Sequence, residues 1–449
     1  MKGGLFFTVP VLLLMAWLQV PAAENPQQPT RNGPVRLIGH SLADDDGPFL
    51  GLGASYFTAL WRCKHDRPRA QQDLAFLARQ GFNYYRMLSM VGYYPAWDGR
   101  EIAPVTFTNR AGKRVEAWPD YWQQLGTLVD LAYDQYGLRT QITIFADAQM
   151  MPGKPARVEH LERLLAEVVR GREHKILLLE VANEAWQNGF PGSSGVADLR
   201  EFAQYLGART EVPVAITSNH EGAGEFEALY AGRVADLATW HFSRDRRHDD
   251  GWRPVYDCWE YGERPGFPPV ISNEPIGPGS SVNSEKDPLR LVIAAAFAYV
   301  AKLPAYVFHS EAGVFGKTRF EDTPAINQFE HILRLLPADL PNWQRLDGKA
   351  TNAPVIVLAA GQPHRYWPEV AGANDGCLRN GIGTKGNRFV CVPIGIRPAG
   401  LEVEARDTLL LRACDPLTGK LLKSARLLAG QRVRLPAGPG ALVIQGYHP

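Results

Sequence analysis

The chain is short of cysteine, has no charge excess, and has only one long apolar run. Its five cysteines are Cys63, Cys258, Cys377, Cys391 and Cys414. Their spacing matches no zinc pattern, and their odd number leaves at least one thiol unpaired. The 48 Lys+Arg residues balance 47 Asp+Glu, a formal charge of +1. A nucleic-acid partner usually leaves a basic stripe or a high pI, so none is expected. There is no internal repeat and no low-complexity tract. After the N-terminus no stretch is long and apolar enough to span a bilayer. No metal or organic cofactor is implied.

The chain is rich in core formers and aromatics. Hydrophobic residues make up 45% of the 449, ample for a large core and for about two or three domains. Eleven Trp and 16 Tyr offer flat faces, of use to a sugar site or to ordinary packing.

Residues 1–23 read as a signal peptide. Lys2 gives a positive start, residues 5–18 an apolar segment too short for a comfortable span, and Val20-Pro21-Ala22-Ala23 a small-residue cleavage site. No Cys follows to carry a lipid anchor. The expectation is an exported protein, periplasmic or extracellular, with no stable membrane insertion after cleavage. An uncleaved anchor is the other reading. Residues 24–48 read as a polar, Pro-rich linker and a small hairpin around Asp44-Asp45-Asp46-Gly47-Pro48, placed to floor the domain that begins at residue 49.

From residue 49 strand and helix patterns alternate. Strands are expected at 49–56, 82–87, 140–145, 175–183, 212–217, 237–242, 270–273 and 305–308. Helical stripes lie between them at 69–80, 121–136, 158–169, 199–206 and 288–301, with a last one at 323–335. Eight such units over residues 49–340 have the size and rhythm of a (β/α)8 TIM barrel. Cys63 and Cys258 fall in loops after strands, where a bridge across the barrel mouth and two idle thiols are both open readings. Over 341–449 helical stripes vanish. Short β-type runs appear at 354–358, 388–393, 401–405, 408–413, 432–435 and 441–446. Gly, Pro and Asp punctuate them, as in a small all-β sandwich. The fold class is therefore α/β, a barrel followed by a sandwich.

The barrel carries one informative pair. The run Ile176-Leu177-Leu178-Leu179 continues through Val181-Ala182 and ends in Asn183-Glu184; the run 268–272 ends in Asn273-Glu274. Short apolar runs of this kind suit strands buried on both faces, and the carboxyl ends of barrel strands are where chemistry is done. Two carboxyl groups on opposite sides of an anomeric carbon are what glycosidic cleavage needs, about 5 to 5.5 Å apart when configuration is retained. Each residue also has a bland reading. Glu184 would suit a helix start, Glu180 a buried structural carboxylate, and Arg86 a structural ion pair.

Residues 36–336 resemble a clan A retaining glycoside hydrolase, the (β/α)8 superfamily that includes family 5 cellulases and mannanases. The resemblance rests on Asn183-Glu184 closing strand four and Glu274 closing strand seven. It implies that Glu184 is the acid/base, Glu274 the nucleophile, and Asn183 a partner of the sugar 2-hydroxyl. It also implies that Arg86 stands beside the nucleophile and His241 in the active site. The substrate would be a poly- or oligosaccharide. Two departures stand out. Strand six reads His241-Phe242-Ser243 rather than His-x-Tyr, leaving Tyr256 or Tyr261 to supply the tyrosine. Strand eight ends Phe308-His309-Ser310-Glu311, without the usual Trp, which points to an unusual sugar. Further candidates for the substrate site are His309, Asp147, Trp186 and Trp240, with Trp61 and Asn219-His220-Glu221 near strand ends. The segment Asp415-Pro416-Leu417-Thr418-Gly419 resembles a turn in the sandwich that follows the barrel in several clan A families, and implies a packing partner for the barrel. A transglycosylase using the same carboxylates, and a carbohydrate-binding barrel without catalysis, are the alternatives. Oligomeric state is not legible.

Overall fold

The computed structural model describes residues 30–92, 97, 99–218, 223–241, 255, 258–275, 277–278, 285–348, 350–359, 362–363, 379–395, 400–436 and 440–449. The expected signal peptide lies outside these, as do Cys377, Tyr256, Phe242-Ser243 and Asn219-His220-Glu221.

Eight parallel strands form one sheet. They are Gly51–Ser55, Tyr84–Leu88, Arg139–Phe145, Ile176–Ala182, Val214–Ala215, Ala238–Trp240, Val270–Ser272 and Ala305–Phe308. Each neighbours the next in sequence up to the fifth, and the eighth pairs with the first, Phe308 opposite Ala54. A single parallel bridge from Ala215 to Leu237 joins the fifth strand to the sixth and closes the barrel. The strands are buried along their whole length, including polar positions such as Gln141, Thr143 and Glu180.

The helices follow from local signals. Tyr121–Tyr136 runs the full predicted span and stops at Gly137, whose φ of 69° lets the chain turn left-handed. Pro288–Val300 starts with Pro at its first position and the Asp287 side chain accepting from the Leu289 amide at 3.0 Å. Eleven of its 13 residues are buried. Lys154–Arg163 leads directly into a wider π-type segment, Leu164–Val169. The expected last helix is different. Ala325 takes a left-handed φ of 70° just after Pro324 and breaks the run into 3-10 turns, Phe320–Asp322 and Ile326–His331, leaving one α-turn at Ile332–Leu335.

The predicted N-terminal hairpin is a three-stranded antiparallel sheet, Arg36–Ile38, Ser41–Asp44 and Gly47–Phe49. Leu42 and Phe49 form one apolar cluster with Leu178, Ala215, Ile271 and Ala305 and so floor the barrel. Asp44 locks this floor from beneath, accepting from Arg31 at 2.6 Å and from Arg139 at 2.8 Å. Those contacts outweigh the upward push of burial and hold its carboxyl below the usual range.

Residues after 343 form the sandwich. Its larger sheet orders Gln344–Asp347, Arg379–Lys385, Arg388–Ile394, Val443–Tyr447, Leu409–Cys414 and Leu421–Leu427. Its smaller sheet orders Gln362–Pro363, Val355–Ala359, Leu401–Ala405 and Arg432–Leu435. The turn at Asp415 is built as its sequence suggests. The Asp415 carboxylate accepts from the Leu417 amide and the Thr418 hydroxyl, each at 2.9 Å, and Leu417 packs on the barrel's core. Cys63, Cys391 and Cys414 are buried free thiols, so no bridge forms from Cys63 to Cys258. No helix among the described residues is long and apolar enough to cross a membrane.

Candidate active site

The barrel axis is polar in its upper half. Glu180, fully buried on the fourth strand, is ringed by donors from four other strands or their ends. Arg86 Nε stands at 3.0 Å, Thr143 Oγ1 at 2.6 Å, Asn273 Nδ2 at 2.8 Å and Ser218 Oγ at 3.3 Å. Gln141 adds an amide at 3.3 Å and also donates to Asn273 Oδ1 at 2.9 Å. A buried carboxylate so enclosed has its lone pairs satisfied, which makes Glu180 a structural anion.

Arg86 connects that anion to the mouth. It is fully buried and donates through Nη1 to Glu274 Oε1 and through Nη2 to Asn183 Oδ1 at 2.6 Å. Its guanidinium lies 5.1 Å from the Phe57 ring centre. Burial alone would lower its affinity for the proton, but Glu180 and Glu274 outweigh this and raise it, so the cation is permanent.

Glu184 follows Asn183 with a φ of 39°, a left-handed conformation that a side-chain-bearing residue rarely adopts. Such strain concentrates at functional sites. The turn is held by Asn188, whose Nδ2 donates to the Asn183 carbonyl at 2.7 Å, and by Gln187, whose Nε2 donates to Glu184 Oε2 at 2.8 Å. Glu184 and Glu274, 90 residues apart in sequence, meet here. One carboxylate oxygen of each and a ring nitrogen of His241 all lie within 4.8 Å of one another.

Two histidines complete the cluster, both buried. His241 stands between the carboxylates, Nδ1 3.4 Å from Glu184 Oε1 and Nε2 3.5 Å from Glu274 Oε1. His309 Nε2 lies 3.6 Å from Glu274 Oε2, and its Nδ1 pairs with Ser55 Oγ at 2.8 Å. Glu184, His241 and Glu274 are the one group among the described residues close enough to share a metal ion. Arg86 already occupies Glu274 Oε1, and a metal there would meet that fixed positive charge.

The other predicted residues fall differently. Trp240 is expected at the substrate but points the opposite way from His241, its neighbour on the strand. It stacks on Tyr261 with centroids 5.2 Å apart and meets Phe226 edge-on in the apolar core. Strand alternation sends it outward to the helices. Tyr261, one of the two residues named for the strand-six tyrosine, is the ring on which Trp240 stacks. Trp186 is 43% exposed, two residues past Glu184. Asp147 is buried and accepts from the Gly92 amide at 3.0 Å, tying the loops after strands two and three together. Trp61 leans over His65 and faces the Arg100 guanidinium at 5.5 Å.

Ser55, Gln187 and, in the ring around Glu180, Gln141, Thr143 and Ser218 went unread in the sequence. Each works by contact with a residue distant in the chain, save Gln187, whose place three residues after Glu184 was a usable signal.

No family model matches the chain, and no curated protein matches it. Solved structures do. One described as a glycoside hydrolase superposes with a TM-score of 0.63 at 13% identity, covering 92% of this chain and 97% of the other. A glycoside hydrolase family 5 protein from Bacteroides vulgatus gives 0.63 at 12% identity, covering 92% and 93%. An α-amylase from Geobacillus thermoleovorans, complexed with acarbose, gives 0.53 at 11%, covering 89% and 98%. What is shared is the fold. The α/β class, a (β/α)8 barrel followed by an all-β domain, is thus found both in the chain itself and in these likenesses.

Proposed function

We propose that the protein is a retaining glycoside hydrolase acting on a poly- or oligosaccharide, with Glu274 as nucleophile and Glu184 as acid/base. The observation that supports this most is the separation of the two carboxylates. One oxygen of each carboxylate lies within 4.8 Å of the other, which brings the pair to the short range, roughly 5 to 5.5 Å between carboxyl groups, that retaining enzymes use.

In this reading Arg86 stabilises negative charge on Glu274, keeping it a nucleophile. Glu274 attacks the anomeric carbon while Glu184 gives its proton to the leaving oxygen. The glycosyl ester on Glu274 is then opened by water, which loses a proton to Glu184. Asn183 spends its carbonyl oxygen on Arg86 and keeps its N–H donors for a sugar hydroxyl. Trp186 offers a ring face at the rim. The sequence of residues 1–23 supports export to the periplasm or beyond. N-terminal sequencing of the mature protein, expected to begin near residue 24, tests that.

The decisive experiment is Glu274→Ala, with folding checked by circular dichroism. Hydrolysis of the best substrate from a panel of aryl glycosides and polysaccharides should vanish. Added azide should give a glycosyl azide of inverted configuration. Undiminished hydrolysis would remove Glu274 as nucleophile, and the proposal with it.

A further inference from the structure

The turn that carries Glu184 is clamped from outside the barrel. Between strand two and its helix the chain inserts a small hairpin, Phe107–Thr108 paired with Arg114–Val115. Asn109 shapes its tip, its Oδ1 accepting from the amides of Ala111 and Lys113, each at 3.0 Å. At that tip Arg110 Nη2 reaches the Gln187 carbonyl at 2.7 Å. Gln149, from the loop after strand three, reaches the same carbonyl at 2.6 Å, and Arg110 also donates to Gln149 Oε1. Two neighbouring loops thus converge on the backbone of Gln187, and the side chain of Gln187 is the one that donates to Glu184 Oε2.

We infer that Gln187 is the positioning residue of the acid/base, and that Arg110 and Gln149 hold it in place. This rests on the reading of Glu184 as acid/base. An amide N–H only donates, and a carbonyl-type oxygen accepts better than a hydroxyl. Gln187 therefore claims Oε2 as the acceptor and leaves the transferable proton to Oε1. Oε1 is the oxygen turned toward His241, 3.4 Å from its Nδ1, and so toward the cleft. Without Gln187 the carboxyl could rotate or carry its proton on the wrong oxygen. The charged and titratable groups near Glu184 among the described residues are His241 and Glu274, with Arg86 and His309 behind Glu274 and Arg110 outside the turn.

The test uses a matched pair of phenyl and 2,4-dinitrophenyl glycosides of whichever sugar the wild type cleaves fastest. The phenyl leaving group needs the acid, whereas the dinitrophenyl group scarcely does. For Gln187→Leu, kcat/KM should fall about 10-fold more on the phenyl than on the dinitrophenyl glycoside. The alkaline limb of its pH profile should move up by about half a unit, since losing an N–H donor disfavours the carboxylate. Arg110→Met should act in the same sense but less, and Arg110→Lys should partly restore the phenyl rate. Gln187→Met provides a second variant should the leucine form fail to fold. NMR titration of the Glu184 carboxyl in wild type and Gln187→Leu reads the hydrogen bond without any substrate. Equal losses on both glycosides with an unmoved alkaline limb overturn this inference and leave the hydrolase proposal standing. Absence of all glycoside cleavage by the wild type overturns both.

Discussion

Arg86 Nη2 lies 2.6 Å from Asn183 Oδ1, and that contact decides which way the Asn183 amide faces. A guanidinium has only donors, so the atom it meets is the oxygen, and the NH2 group is turned elsewhere. Asn183→Asp would keep the Arg86 contact and exchange those donors for an acceptor. If they hold a sugar hydroxyl, kcat/KM should fall on the order of 100-fold, with melting little changed. Steady-state kinetics beside a thermal melt separates the two effects, and an unimpaired Asp variant would rule out the donor role.

Arg86 itself cannot be replaced quietly. It is fully buried and bonded to Glu180, Glu274 and Asn183. Arg86→Met would leave two buried carboxylates without a cation, at a cost of about 3–5 kcal/mol. Lysine is no remedy, because a point charge cannot span three acceptors in a plane. Urea unfolding should show both variants strongly destabilised, and an Arg86→Lys protein as stable as wild type would contradict the network.

The strands that carry this network were the most legible part of the sequence. Arg388–Ile394 and the barrel strand Ile176–Ala182 announce themselves as apolar runs, and Leu401–Ala405 (LEVEA) as a period-two alternation. What stayed hidden had no periodicity of its own. Arg379–Lys385 (RNGIGTK) and Leu421–Leu427 (LLKSARL) look like loop and surface, and are strands only because neighbouring strands pair with them. Trp240 and His241 show the same limit within the site. Both sit at one strand end, and only the direction of the pleat sends one to the core and the other to the carboxylates.

His160 makes stability depend on pH far from the cleft. It is buried against Trp122, with centroids 4.8 Å apart, and its Nε2 meets no hydrogen-bond partner among the described residues. Burial, assisted by Arg163, pushes its pKa down to about 3. The unfolded chain takes up this proton near pH 6.5 and the folded chain does not. Stability is therefore lost as pH falls from about 6.5 toward 3, by on the order of 4 kcal/mol in all. His160→Phe should flatten that slope in chemical denaturation between pH 7 and pH 4. An unchanged slope would mean the ring is protonated in the fold.

Asp44 acts in the opposite sense on the barrel floor. Held by Arg31 and Arg139, its carboxyl is below the usual range, so it stabilises the fold above about pH 4. That contribution disappears as pH drops through the lowered value. Asp44→Asn should be less stable than wild type at pH 7, and the gap should close in strong acid. A constant gap across that range would show that packing, and not charge, is what the floor loses.

Gly277 guards the relation between strands seven and eight. A Cβ there would stand 1.4 Å from the His309 carbonyl oxygen, a backbone atom that cannot yield alone. Gly277→Ala should therefore push His309 away from Glu274 and cut kcat about 100-fold. Gly207→Ala, at a helix end with open space around it, is the control and should leave activity alone. Equal behaviour of the two variants would remove the steric argument.

The helix Pro288–Val300 has no wet side. One flank lies on the barrel strands, and Phe297 and Val300 on the other meet the sandwich at Gly381. Cutting the chain near residue 340 would strip that second cover and leave a greasy ridge facing water, where soluble monomers do not survive. The terminal domain thus works as the missing outer wall of the barrel, and a truncated barrel should clump rather than fold on its own.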